Sequence, residues 1–203
     1  MAPGKLIVIS APSGAGKTTI AGEILKRVPV LSFSVSATTR AQRAGEVEGR
    51  DYFFLSPDQF TRGVEGGAFV EWEELFGNRY GTPKAEIDRA MLNGEHLLFD
   101  IDVKGALAIK RQYPAALLIF ILPPDMEVLK QRLSRRKTED TAALQRRLDR
   151  VPMELEQRKA FDRIVVNDAL DKAVDEVEQI IQHHLHHEQS ERSSRNDNQT
   201  DGS

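Results

Sequence analysis

Residues 11–18 read Ala-Pro-Ser-Gly-Ala-Gly-Lys-Thr and follow the apolar run Leu6-Ile7-Val8-Ile9. A strand that feeds a Gly-rich loop ending in Lys-Thr at a helix start builds a phosphate cradle. Successive backbone N–H groups face the anion, and the following helix adds its positive end. Lys17 has the reach for β- and γ-phosphates, and the Thr18 hydroxyl can ligate Mg²⁺. The pattern G-x-x-x-x-G-K-[ST] is met with Ala11 in the first glycine position, while Gly14 and Gly16 supply the flexible backbone. An ordinary strand–turn–helix connection also favours Gly and Ser, but it requires no Lys-Thr after the second glycine. The sequence therefore predicts a nucleoside triphosphate site and leaves the acceptor of the phosphoryl group to be found.

A second pair of chemical groups closes the apolar run Leu97-Leu98-Phe99, which continues Asp100-Ile101-Asp102. Alternate residues of a strand share a face, so Asp100 and Asp102 are expected to point the same way. A carboxylate at the end of a core strand can hold Mg²⁺, and a pair could also hold an acceptor hydroxyl or base. Asp in such a position also serves as a plain helix cap. A third group gathers Ser36, Arg40, Arg43, Tyr52, Tyr80 and Thr82. Two guanidinium forks with hydroxyls make a clamp for another phosphate. In the alternative reading the tyrosines are core aromatics and the arginines pair with Glu46 and Glu48. Glu71 would repel phosphate and needs a donor-rich partner, such as the adjacent N1–H and N2–H₂ of guanine.

These groups need a scaffold. The chain has 203 residues, 40% of them hydrophobic, enough for one domain with inserted lobes. Short apolar runs alternate with helical segments. Strands are predicted at Lys5–Ser10, Phe33–Ala37, Leu97–Ile101, Leu117–Leu122 and Arg163–Val166. Helices are predicted at Thr18–Arg27, Pro83–Asn93, Asp125–Arg135 and Thr141–Phe161. Such alternation implies an α/β fold, a central parallel sheet flanked by helices. Residues 34–82 break the rhythm with aromatics, glycines and charges, and read as a small inserted lobe, partly sheet. Arginines 132, 135, 136, 146, 147 and 150 crowd the region before the last helices. They surround an anion, or they line a solvated face balanced by Glu139, Asp140 and Asp149. Pro152 is expected to kink or end its helix. His183, His184, His186 and His187 suit either a metal or the negative end of a final helix. From 188 to 203 the chain is polar and expected to be disordered.

Composition excludes several classes. With no cysteine, disulfides, thiol catalysis and Cys-based zinc sites are absent. A net charge of −3 draws the molecule to neither nucleic acid nor an anionic membrane. No apolar stretch approaches the ~20 residues of a membrane span. Residues 1–5 run into the first strand without a signal-peptide pattern, so a cytoplasmic protein is expected.

Taken together, the segments resemble a guanylate kinase of the bacterial type. The resemblance runs from Leu6 to Ile181 through S-A-P-S-G-A-G-K-T-T, S-V-S-A-T-T-R-A-Q-R-A-G-E-V-E-G-R-D-Y-F-F, F-V-E-W, G-N-R-Y-G-T, L-L-F-D-I-D-V-K-G, F-I-L-P-P and I-V-V-N-D. The second block is the most specific. The resemblance implies the P-loop nucleoside monophosphate kinase fold: a core (1–33, 83–124, 158–187), a GMP-binding lobe (34–82) and an arginine-rich lid (125–157). It implies ATP-dependent phosphorylation of GMP, with dGMP as a further acceptor, Mg²⁺, and ATP as co-substrate. ATP binding falls to Ala11, Pro12, Ser13, Gly14, Ala15, Gly16, Lys17, Thr18, Thr19 and Asn167. GMP binding falls to Ser36, Arg40, Arg43, Tyr52, Glu71, Tyr80, Thr82, Asp100 and Asp102. Catalytic roles fall to Lys17, Arg40, Asp100, Arg132, Arg136 and Arg147, with Thr18 and Asp100 at the metal. The partners implied are the two nucleotides, and the number of copies stays open. Two departures stand out: Arg135-Arg136-Lys137 replaces a usual Gly-Arg-Gly, and Lys104 stands where Gln is frequent. A phosphopeptide-binding relative lacking a working P-loop, or a sugar-phosphate kinase, are the competing readings. A GTPase would need an N-K-x-D motif, which is absent.

Overall fold

The computed structural model describes residues 3–75, 77–134 and 141–197. Its first sheet has five strands: β1 (Leu6–Ser10), β2 (Leu31–Phe33), β7 (His96–Asp100), β8 (Leu117–Leu122) and β9 (Arg163–Val166). They lie in the order β2-β7-β1-β8-β9, and every pairing is parallel. The central strands are apolar throughout because both of their faces are covered. Ile7, Ile9, Ile119 and Ile121 face one core. Helices α1 (Lys17–Arg27), α5 (Met126–Ser134), α6 (Thr141–Glu156) and α7 (Leu170–Asp197) cover that face. Leu6, Val8, Leu118 and Phe120 face the other, under α3 (Lys84–Asn93) and α4 (Val103–Gln112). The α/β fold with a flanked parallel sheet follows.

The sheet order has a functional consequence. The chain leaves β7 on one side of β1 and enters β8 on the other, so the crossover straddles the carboxyl end of β1. In open α/β sheets this switch point is where ligands bind, and the loop 11–16 emerges there.

The remaining strands build a four-stranded sheet in the order β4-β3-β6-β5. They are β3 (Ala37–Thr38), β4 (Phe53–Phe54), β5 (Phe69–Leu75) and β6 (Asn78–Pro83). Helix α2 (Pro57–Glu65) packs on this sheet: its Phe60 is fully buried and stacks on Phe69 at 4.5 Å between ring centroids. The register of β5 against β6 shifts between Phe69 and Glu71. There Val70 joins the main core while Glu71 lies opposite Thr82.

Four expectations need correction. The strand predicted over Phe33–Ala37 is two strands of different sheets. Ser34 N–H still donates to Leu98 of the first sheet, whereas Ser36 C=O already accepts from Phe53 of the second. Helix α2 was not foreseen, although Ser56-Pro57-Asp58-Gln59 is a complete capping box with Pro at the first helical position. Helix α6 carries Pro152 in its interior and ends soon after, at Glu156, where Gln157–Ala160 tightens to a 3₁₀ turn. Finally, α7 continues to Asp197 instead of giving way to a disordered tail at 188. No Gly or Pro interrupts that stretch. The histidines therefore lie within a helix, not at its end. Among the described residues no group of three or more His, Asp or Glu is placed to hold a metal.

Candidate active site

The loop after β1 is held in shape from below. Gly14 and Gly16 adopt φ of 90° and 95°, conformations that only glycine takes without strain. Asn167, just past β9, is buried and donates its side-chain amide to the Ala15 carbonyl at 2.8 Å. A Cβ on Gly16 would lie 2.4 Å from that same amide nitrogen. Asn167 thus grips the loop from the protein side. Arg132, on α5, donates to the Asn167 carbonyl at 3.2 Å, and its Nη1 is buried without a partner among the described residues. Thr18 and Thr19 stand exposed on the first turn of α1.

Lys17 turns toward the neighbouring strand end and forms an ion pair with Asp100. The register makes this possible: Ile9 of β1 lies beside Asp100 of β7, so loop and carboxylate leave the sheet together. Both side chains are largely buried, at 21% and 10% exposure. Asp102 does not continue the strand. It caps α4, accepting from Gly105 N–H at 2.8 Å, so the plain-cap reading holds for this residue. It nevertheless lines the same cavity as the loop. That cavity, of about 220 Å³, is bounded by loop residues 11–14 and 16–19 and closed by Leu75, Asp102, Arg150 and Glu154.

The predicted phosphate clamp is partly assembled. Arg40 lies over Tyr52, 5.3 Å from the ring centroid, and Tyr80 meets Tyr52 edge-on at 6.1 Å. The guanidinium fork is occupied by Glu46, with contacts of 2.7 and 3.1 Å, as the alternative reading anticipated for this arginine. Glu48 instead accepts from Phe54 N–H. The side chain of Arg43 is exposed while its backbone N–H joins Glu46. Glu46 therefore sits in a ready-made anion site, and its carboxyl is held below the usual range mainly by Arg40. Ser36 lies at the entry to β3, beside this group.

Glu71 faces inward from β5 and accepts from the fully buried Thr82 hydroxyl at 2.6 Å. Burial raises its carboxyl to about 7, against the opposing effect of the Thr82 hydrogen bond. Two residues on, Glu73 accepts from Arg150 at 2.9 Å and has Lys104 at 3.6 Å. Burial, then a shared proton with Asp102, raises Glu73 to about 7. Burial works against ionisation of Asp102 too, but hydrogen bonds from Glu73 and Gly105 outweigh it and keep this carboxyl low. The sequence reading missed Glu73 and Glu154. The spacing Glu71-x-Glu73 on a strand was the available signal for the first. Arg136 lies outside the described residues, and for Arg147 only its place on α6 is described.

The Gly-rich loop and Lys17 line one cavity with Asp102, and the inward Glu71 of the adjoining lobe lies against Gly105 in the turn that Asp102 caps. The family model for guanylate kinase matches residues 3–184. The chain belongs to the guanylate kinase family. It is 53% identical to the guanylate kinase of Chlorobium chlorochromatii over 88% of this chain and 94% of that protein. It is 49% identical to that of Salinibacter ruber over 84% and 92%. The crystal structure of guanylate kinase from Anaplasma phagocytophilum superposes with a TM-score of 0.71 at 32% identity, covering 89% of this chain and 86% of that one. The chain is thus a nucleotide-binding transferase of the guanylate kinase family.

The loop-holding contact can be tested. Asn167→Ala leaves the buried Ala15 carbonyl unpaired and is expected to cost about 1–3 kcal/mol in urea unfolding, with weaker ATP binding by calorimetry. Unchanged stability and unchanged ATP affinity would remove Asn167 from the support of the loop.

Proposed function

We propose that this chain transfers the γ-phosphoryl group of ATP to GMP, giving ADP and GDP. The observation that carries the reading is the placement of Glu71, with its Thr82 partner, against Gly105 in the turn capped by Asp102, which lines the same cavity as Lys17. The triphosphate lies along loop 11–16 with its terminal phosphates at Lys17. The GMP phosphate takes the place of the Glu46 carboxylate on Arg40, joined by Ser36, Arg43, Tyr52 and Tyr80. Glu71 accepts from guanine N1–H and N2–H₂, which adenine cannot offer, and Thr82 and Asp102 complete the base pocket. These contacts read base and phosphate and leave the 2′ position unread, so dGMP is a second acceptor.

Transfer is in line: a GMP phosphate oxygen attacks, and no protein nucleophile takes part. Lys17, Arg40 and Arg132, with Arg136 and Arg147 of the lid, offset the repulsion between two polyanions and the charge that develops. Closure of the lobe (34–82) and lid (125–157) on the core excludes water. The exposed Thr18 hydroxyl and Asp100 are hard oxygen donors suited to Mg²⁺, which takes few protein ligands and completes its shell with phosphates and water. Mg²⁺ bound there supplies charge neutralisation on the phosphates. The reaction belongs to purine nucleotide metabolism, and we place it in the cytoplasm. Among the described residues no helix is long and apolar enough to cross a membrane.

Two outcomes test this reading. Lys17→Met is expected to lower kcat by about 10²–10³-fold while GMP binding, measured directly, changes little. Near-normal turnover would overturn the loop assignment. The second test uses pH. Glu71 must be ionised to accept both guanine donors, and burial places its titration near pH 7. The affinity for GMP is therefore lost as pH falls through 7 and should rise about tenfold between pH 6 and pH 8. Glu71→Gln should weaken GMP more than AMP and remove this part of the pH profile. Equal effects on both nucleotides would take Glu71 out of base recognition.

A further inference from the structure

Strand β5 starts anchored on the core and ends over the loop. Val70 lies in the main core and its carbonyl accepts from Gln112 of α4 at 2.7 Å. At the far end Leu75 lines the phosphate-loop cavity. Between them Glu73 is the residue on which basic side chains of two other elements converge. Arg150 reaches it at 2.9 Å and Lys104 at 3.6 Å, from α6 and α4 respectively. The arginine is itself firmly mounted. Its neighbour Val151 is fully buried in the core, and Leu148 and Leu155 pack against the same cluster. Arg150 also lies 3.6 Å from Glu154 and 3.9 Å from Asp102. The pair is shielded from solvent, with Glu73 17% and Arg150 30% exposed, so it is worth more than a surface ion pair.

We infer that Glu73 is a positioning residue: gripped by Arg150 and Lys104, it holds the β5–β6 hairpin of the acceptor lobe down over the triphosphate loop. The inference rests on the proposed ATP-to-GMP transfer for its kinetic consequence but not for its structural one. Glu73 touches neither reacting phosphate. It acts through the hairpin, bringing the wall at Leu75 against the donor cavity and the Glu71–Thr82 pocket toward Asp100. Lys104, the departure near the catalytic aspartates, thereby gains a role as the second cation of this latch. Arg150, the last member of the arginine cluster, is engaged with carboxylates of the fold.

Because the chain has no cysteine, a spin-label pair can be placed uniquely on the exposed Glu65 of the lobe and Lys172 of the core. Wild type without nucleotide is expected to show one short, narrow distance distribution by pulsed electron resonance. Glu73→Gln and Arg150→Met should each broaden and lengthen it, and the double variant should add nothing further. In steady-state assays each single variant should lose about three- to tenfold in kcat and raise both nucleotide KM values, with coupling between them in the double variant. An unchanged distance distribution in both single variants overturns the latch. Additive effects in the double variant overturn the pairing of these two residues. If wild type phosphorylates no GMP, the functional reading fails while the distance measurement still decides the latch.

Discussion

The Lys17–Asp100 pair is the interaction around which the cleft is organised. Parallel pairing of β1 with β7 sets Ile9 beside Asp100, so the loop that follows β1 and the carboxylate that ends β7 cannot avoid one another. Two largely buried charges are tolerable only together, since removing either leaves the other desolvated without a partner. That requirement fixes the lysine at the carboxyl end of the sheet before any nucleotide arrives. Asn167 then holds the loop from β9, and the glycines supply the backbone it needs. The cation is thus held in place by the carboxylate that ends the neighbouring strand.

The same logic recurs in the lobe. Glu46 occupies the Arg40 fork, and Arg150 is surrounded by Glu73, Glu154 and Asp102. Carboxylates of the fold neutralise these basic groups. The arrangement separates roles by environment: Asp102 is kept low by hydrogen bonds from Glu73 and Gly105, while burial brings Glu71 and Glu73 of β5 up to about 7.

Much of this was legible in the chain. The P-loop combines residue types and a strand–loop–helix context that few other structures need, and the continuous apolar run placed Leu117–Leu122 correctly as a buried strand, whereas Arg163–Val166 is a strand at the edge of the sheet with only Val165 buried. What escaped was long-range. An apolar run at 33–37 cannot say that the chain changes sheets within it. Asp102 looked like the partner of Asp100 on a strand because nothing local announced that β7 ends one residue earlier than the alternation suggests. Glu73 sits in Glu71-Trp72-Glu73-Glu74, which reads as a solvated strand, and its arginine partner is 77 residues away. The polar end of α7 carried weak helical signals that composition alone outweighed.

The central claim is that one cleft binds ATP on the loop and reads guanine through the lobe. The most direct measurement is ADP release with ATP and Mg²⁺ while GMP, dGMP, AMP, CMP, UMP and ribose phosphates are offered in parallel. Turnover with GMP and dGMP alone is the result the account predicts. Turnover with a sugar phosphate, or with AMP as readily as with GMP, would contradict it, since the lobe would then clamp a phosphate without reading the base.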